Sequence, residues 1–170
     1  MAQEYIMSIS VLIIDTSYLL ELFSVPGHSN VQSNIEIKKR FENATKNNSR
    51  LYVPLPCIYE FSNHIAHVDD GNRRKELADK VYDTIKSSVQ DGRPWIITPS
   101  TGLEKLPQIF QIFASEYVLQ GISITDTSVI QEAKLLKKKY KNSNYTVHIW
   151  TKDRSIKAYE PDIESNPFLG

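Results

Sequence analysis

The chain has little of what would declare its chemistry at a glance. Cys57 is the one cysteine among 170 residues, so no intrachain disulfide can form, which fits a reducing compartment. Neither sign of charge is in excess. Lys and Arg number 20, as do Asp and Glu, so no global basic field points to nucleic acid or an anionic membrane, and a polyanion has to be met by a local patch. No apolar run approaches the ~18 to 20 residues of a membrane span. The opening stretch MAQEYIMSISVLIID lacks a basic segment and is cut by Ser8, Ser10 and Asp15, so it reads as a strand and not as a signal peptide. The expected address is the cytoplasm, with no membrane partner. Glycine-rich phosphate loops are missing as well: without Gly-x-Gly-x-x-Gly or Gly-Lys-Ser/Thr, dinucleotide and nucleoside-triphosphate sites have no support.

What is present is an alternation of short apolar runs with longer amphipathic ones. Hydrophobic residues make up 41% of the chain, enough for one continuous core. Val11, Leu12, Ile13 and Ile14 are consecutive and mostly β-branched, which suits a strand covered on both faces of a parallel sheet. Further strands are expected at Leu51–Leu55, Trp95–Thr98 and Val147–Thr151. Between them, helices are expected over Thr16–Phe23, Asn30–Asn47, Cys57–Val68, Arg73–Val89 and Gly102–Leu119, with another opened by Ser123 or Thr125 as cap. In the fourth of these, Leu77, Ala78, Val81, Ile85 and Val89 are expected to face the core; in the fifth, Leu103, Leu106, Phe110, Phe113 and Tyr117. Asn142–Asn144 reads as a loop, and a last helical turn ends at Pro161. The expectation is a single α/β domain over residues 1–170, with its core at about 9–160 and an irregular tail at 161–170.

Four acids share a place in this pattern. Asp15 follows the first strand, Glu60 lies in the first turns of the helix after the second, Asp126 opens a helix, and Asp153 follows the fourth strand. In a parallel sheet, strand ends and helix starts share one rim, where open α/β sheets keep their ligands. Carboxylates gathered there raise one another's pKa unless a cation intervenes. Oxygen ligands with open positions suit Mg²⁺ or Mn²⁺, and such a site can activate water for phosphodiester cleavage. Each acid also has a structural reading, because Asp is a favoured helix cap and sits well at the positive end of the helix dipole.

In their order and spacing, VLIIDTSYLL, PLPCIYEFSNHI, GISITDTSVIQEA and VHIWTKDRSI resemble the PIN domain, most of all the VapC-type toxin ribonucleases. The resemblance spans about Ile9 to Tyr159. It implies a three-layer sandwich with a central parallel sheet of four or five strands and a Mg²⁺- or Mn²⁺-dependent endoribonuclease. The implied metal ligands and catalytic residues are Asp15, Glu60, Asp126 and Asp153, supported by Thr16 and Thr151. It further implies an RNA substrate and, for a toxin, an antitoxin protein lying over the rim; homodimers are common in the family. A PIN nuclease acting on other RNA or DNA outside any toxin pair, and a degenerate PIN fold used as a binding scaffold, are the alternatives. Val68–Pro94 and the tail after Pro161 make the chain longer than the compact toxins.

Other constellations carry less. Glu60, His64 and His67 fall on one helix face, but the spacing is not His-Glu-x-x-His and no fourth zinc ligand is evident. Asp15-Thr16-Ser17 lacks the second acid of an Asp-x-Asp nucleophile and, with Leu19, the second serine of an Asp-x-Ser-x-Ser site. Cys57 has no histidine partner and reads as a small core residue. Lys134, Lys138 and Lys141 are expected on one helix face opposite the apolar stripe, where they could hold an RNA backbone by charge.

Overall fold

The first apolar run forms β1 (Ile9–Ile14), and its central place in the sheet explains its composition. In the computed structural model, which describes residues 8–99, 102–141 and 144–170, β1 pairs in parallel with both β2 (Arg50–Pro54) and β4 (Tyr145–Trp150). β3 (Ile96–Thr98) adds to the outer side of β2. Among the described residues the order is β3-β2-β1-β4, all parallel. Val11, Ile13 and Ile14 are 0% exposed, as befits a strand with neighbours on both edges and helices over both faces. Asn142 and Ser143 of the expected loop, and residues 1–7, lie outside the described residues.

Seven α-helices surround the sheet among the described residues: α1 (Thr16–Leu22), α2 (Val31–Lys46), α3 (Leu55–Ala66), α4 (Gly71–Asp91), α5 (Leu106–Ile112), α6 (Ile124–Lys139) and α7 (Arg154–Lys157). The two-residue period of the strands distributes their contacts. Trp150, in register with Ile14, meets Tyr18 of α1 and Phe41 of α2. Tyr52, in register with Ile13, faces the opposite way, where its hydroxyl meets that of Tyr140 at the end of α6, 2.8 Å away. Helices on both sides of one parallel sheet make the α/β architecture expected from the alternation a three-layer sandwich, as the resemblance implied.

Two of the expected helices differ in detail. α4 is longer than expected, from an Asp70 cap whose side chain accepts from Arg73 N to Gly92 in the left-handed conformation. Its buried positions are Leu77, Val81 and Ser88; Ala78 is exposed and Val89 is 71% exposed. At roughly 100° per residue, Ser88 lies about 20° from Leu77 around the helix, whereas Val89 lies about 120° away. The helix expected over Gly102–Leu119 is shorter. α5 starts only at Leu106, continues as a π-helical turn at Phe113–Tyr117 and ends as a 3₁₀ turn at Val118–Gln120. Pro107 sets that start, since proline lacks the N–H an interior position must donate. The stripe expected to face the core is not followed: Leu103 precedes the helix and is 85% exposed, Leu106 and Phe110 of α5 are exposed too, and Tyr117, in the π-helical turn, is the member that reaches the core.

The tail after Pro161 is irregular, as expected, yet it is tied down. β4 is an edge strand, and an open edge is an aggregation template. Asp162 N donates to Val147 O, and Val147 N donates to Asp162 Oδ2. Ile149 N donates to Glu160 Oε2, and Lys157 Nζ to Ile149 O. Side chains of the tail and α7 thereby stand where a fifth strand would.

Candidate functional site

With every strand parallel, the carboxyl ends of β1 and β4 and the amino ends of α1, α3, α6 and α7 all lie along one rim. Asp15 is its floor. It follows β1 directly, its N–H extends the ladder to Trp150 O, and it is 4% exposed. Its Oδ2 accepts from Ser17 Oγ at 2.8 Å and from Thr151 Oγ1 at 2.8 Å, while Ser17 N approaches at 3.4 Å to cap α1. Burial nevertheless pushes the carboxyl up to about 6, the two hydroxyls oppose the rise, and the nearby charge of Asp126 adds to it.

Thr16, one residue on, turns the other way and donates from Oγ1 to Glu60 Oε2 at 2.7 Å. Glu60 sits in the second turn of α3, and no side chain caps that helix. Asp126 is held in a capping box: its N donates to Ser123 Oγ at 3.0 Å, and Ser123 N donates to Asp126 Oδ2 at 3.3 Å. Burial raises its pKa; the Ser123 hydrogen bonds lower it, and Glu60 and Asp153 raise it through their charges. Asp153 is exposed and caps α7, accepting from Ser155 N at 2.7 Å. Its own N–H donates to Thr151 Oγ1 at 3.0 Å. The rim thus brings the four carboxylates within electrostatic reach, graded from the buried Asp15 through the half-buried Glu60 and Asp126 to the exposed Asp153.

No Lys or Arg is ion-paired with any of the four among the described residues. Lys152, next to Asp153 in the chain, is engaged elsewhere, its Nζ 2.6 Å from Oε1 of Glu21, a side chain that is 0% exposed. A hard cation fits the chemistry of this donor set: oxygen-only, acidic, and uncompensated by the protein. The spacing is another matter. Among the described residues, no three His, Cys, Asp or Glu side chains are grouped as a metal ion's coordination sphere requires. Each carboxylate instead accepts at least one hydrogen bond from the protein: Asp15 from Ser17 and Thr151, Glu60 from Thr16, Asp126 from Ser123 N and Asp153 from Ser155 N.

Sequence reasoning missed the role of Ser17. It joins the two halves of the rim, with Oγ donating to Asp15 and accepting from Lys152 N at 3.0 Å. The signal was available, since a serine two residues after a capping Asp is placed to share that turn. The basic face is altered as well. α6 ends at Lys139, so Lys141 lies beyond the helix and does not share the face of Lys134 and Lys138. Lys134 Nζ donates to Tyr117 Oη at 3.1 Å, and at eight residues past Asp126 it stands roughly 12 Å along the helix from the rim. His67 does not join His64 as a ligand pair: its Nδ1 lies 2.7 Å from Asn63 O, while the ring of His64 packs against His28 at 4.4 Å. Cys57 is buried in the core, as its reading required. Compared with known proteins, the chain matches no family model, and no curated protein matches it.

Proposed function

We propose that this chain is a PIN-like, divalent-metal-dependent nuclease that hydrolyses RNA phosphodiester bonds. What supports the reading most is one observation: Asp15, buried at the carboxyl end of the central strand, feels the charge of Asp126 and is ion-paired with no cation among the described residues. Asp15, Glu60, Asp126 and Asp153 would hold Mg²⁺ or Mn²⁺, which when bound supplies a water acidic enough to attack phosphorus and a positive charge for the leaving oxygen. Thr151 and Ser17 fix the Asp15 carboxylate in place, Thr16 does the same for Glu60, and the walls of the rim limit water around Asp15. Lys134 and Lys138, on α6, and Lys141, beyond its end, would contribute charge to an RNA strand leaving the rim, an attraction that weakens as salt rises. Action as a toxin against which an antitoxin is paired, and homodimer formation, belong to the same proposal.

The helix-capping hydrogen bonds of Asp15, Asp126 and Asp153 favour a second reading, a PIN-like scaffold in which these acids serve as caps. Calorimetric titration with Mn²⁺, run beside cleavage of a panel of RNAs, separates the two. The nuclease reading expects specific heat of binding and Mn²⁺-dependent cleavage, both lost in Asp15→Asn. Full cleavage by that variant ends the proposal, and an absence of Mn²⁺ binding by the native chain selects the scaffold.

A further inference from the structure

On the sheet face carrying α1, α2 and α4, the helices leave a gap. α2 lies over the β1–β4 side, where Phe41 meets Trp150, and α4 packs towards β3. The hollow between them, over β2, has a volume of about 730 Å³, within the roughly 300–1,000 Å³ of small-molecule sites. Its floor is apolar, built from Phe23 after α1, Phe41 of α2, Leu51 of β2 and Trp95 before β3. Its rim is cationic, with Lys38 and Lys46 from α2 opposite Arg73 and Lys80 from α4. Among the described residues Glu76 pairs with both Arg73 and Lys80, and Glu42 is the carboxylate that lines the groove. Lys38 and Lys46 are ion-paired with no acid among the described residues.

We propose that this groove binds a small amphipathic anion, an alkyl or aryl body lying on the floor with its carboxylate, sulfonate or phosphate held by Lys38 and Lys46. The apolar floor selects against a bare inorganic anion or a nucleic acid backbone, for which a polar floor would serve better. The unanswered lysines select against a neutral lipid. A stable protein partner needs about 800 Å² of surface on each side, more than this short floor offers. The inference stands apart from the nuclease reading, since the groove uses none of the four rim acids.

Dodecanoate, kept below its micelle concentration, is the probe, titrated calorimetrically with dodecanol as its neutral counterpart. One equivalent of dodecanoate is expected to bind, at least tenfold tighter than dodecanol. The exposed double variant Lys38→Glu/Lys46→Glu is expected to weaken dodecanoate at least tenfold, and Thr84→Phe, which fills the groove from α4, to remove binding. Circular dichroism of both variants confirms the fold. The proposal is overturned if dodecanoate does not bind, if dodecanol binds as tightly, or if either folded variant binds dodecanoate as the native chain does.

Discussion

At Asp15, hydrogen bonds and burial pull the proton in opposite directions, and burial wins. The carboxyl rises from an ordinary 3.8 to about 6, so the folded chain binds this proton more tightly than the unfolded chain does. Stability from this residue is therefore fully present below about pH 4 and lost as pH rises through 6, by about 3 kcal/mol at 1.36 kcal/mol per pKa unit. Urea denaturation in chelator from pH 4 to 7 should show that loss in the native chain and not in Asp15→Asn; parallel pH dependences would refute it. A second buried charge is better answered. Glu21, 0% exposed, accepts from Lys152 at 2.6 Å and from Asn30 N at 3.2 Å, which ties the turn after β4 to α1. Lys152→Met should destabilise by about 3 kcal/mol, because a buried charge left unpaired costs more than the pair contributes. A change below 1 kcal/mol in the same denaturation assay would overturn that expectation.

Among the elements, β4 shows how an irregular segment does a strand's work. Asp162 receives the Val147 N–H at 2.8 Å and the Lys137 ammonium at 2.6 Å, while Glu164 receives Arg40, Lys157 and the Trp150 indole N–H. Asp162→Ala should cost about 1–3 kcal/mol, since it leaves the Val147 N–H without its side-chain acceptor. Amide exchange at Val147 should rise in that variant and stay slow in Asp162→Asn, which keeps the oxygen; equal exchange in the two would remove the tail from edge protection. The stop at Gly121 and a cap at Ser123 or Thr125 can be read from residue types, and the structure selects Ser123, boxed with Asp126. The exposure of Leu103, Leu106 and Phe110, with only Tyr117 of that stripe in the core, was not legible in this way. A π-helical turn inserts a residue without a compositional mark, and only packing of Tyr117 against Lys134 and Tyr159 fixes it.

On the scale of the whole molecule, strand order is what brings distant acids to one place. β1 lies between β2 and β4, so residues following positions 14, 54 and 150 share a rim although 136 residues separate Asp15 from Thr151. A cation bound there stabilises the folded state by its binding free energy, about 2.7 kcal/mol at a hundredfold excess over Kd. Mn²⁺ should accordingly raise the melting temperature of the native chain by several degrees, and that of Asp15→Asn or Asp126→Asn by far less. Identical shifts in all three would place the ion elsewhere. Such a shift would also show whether a cation gathers carboxylates that now rest on separate hydrogen bonds.

The sequence by itself determined the α/β class, the place of β1 and most element limits, because apolar period and capping chemistry act within a few residues. It also marked Asp15, Glu60, Asp126 and Asp153 as strand-end and helix-start acids, since that is a matter of local position. Only the tertiary structure decided that Asp15 is buried and Asp153 exposed, that Ser17 links the two halves of the rim, and that an open groove lies over β2. Burial and through-space charge depend on what other segments bring to a residue, and no local pattern in the chain encodes that.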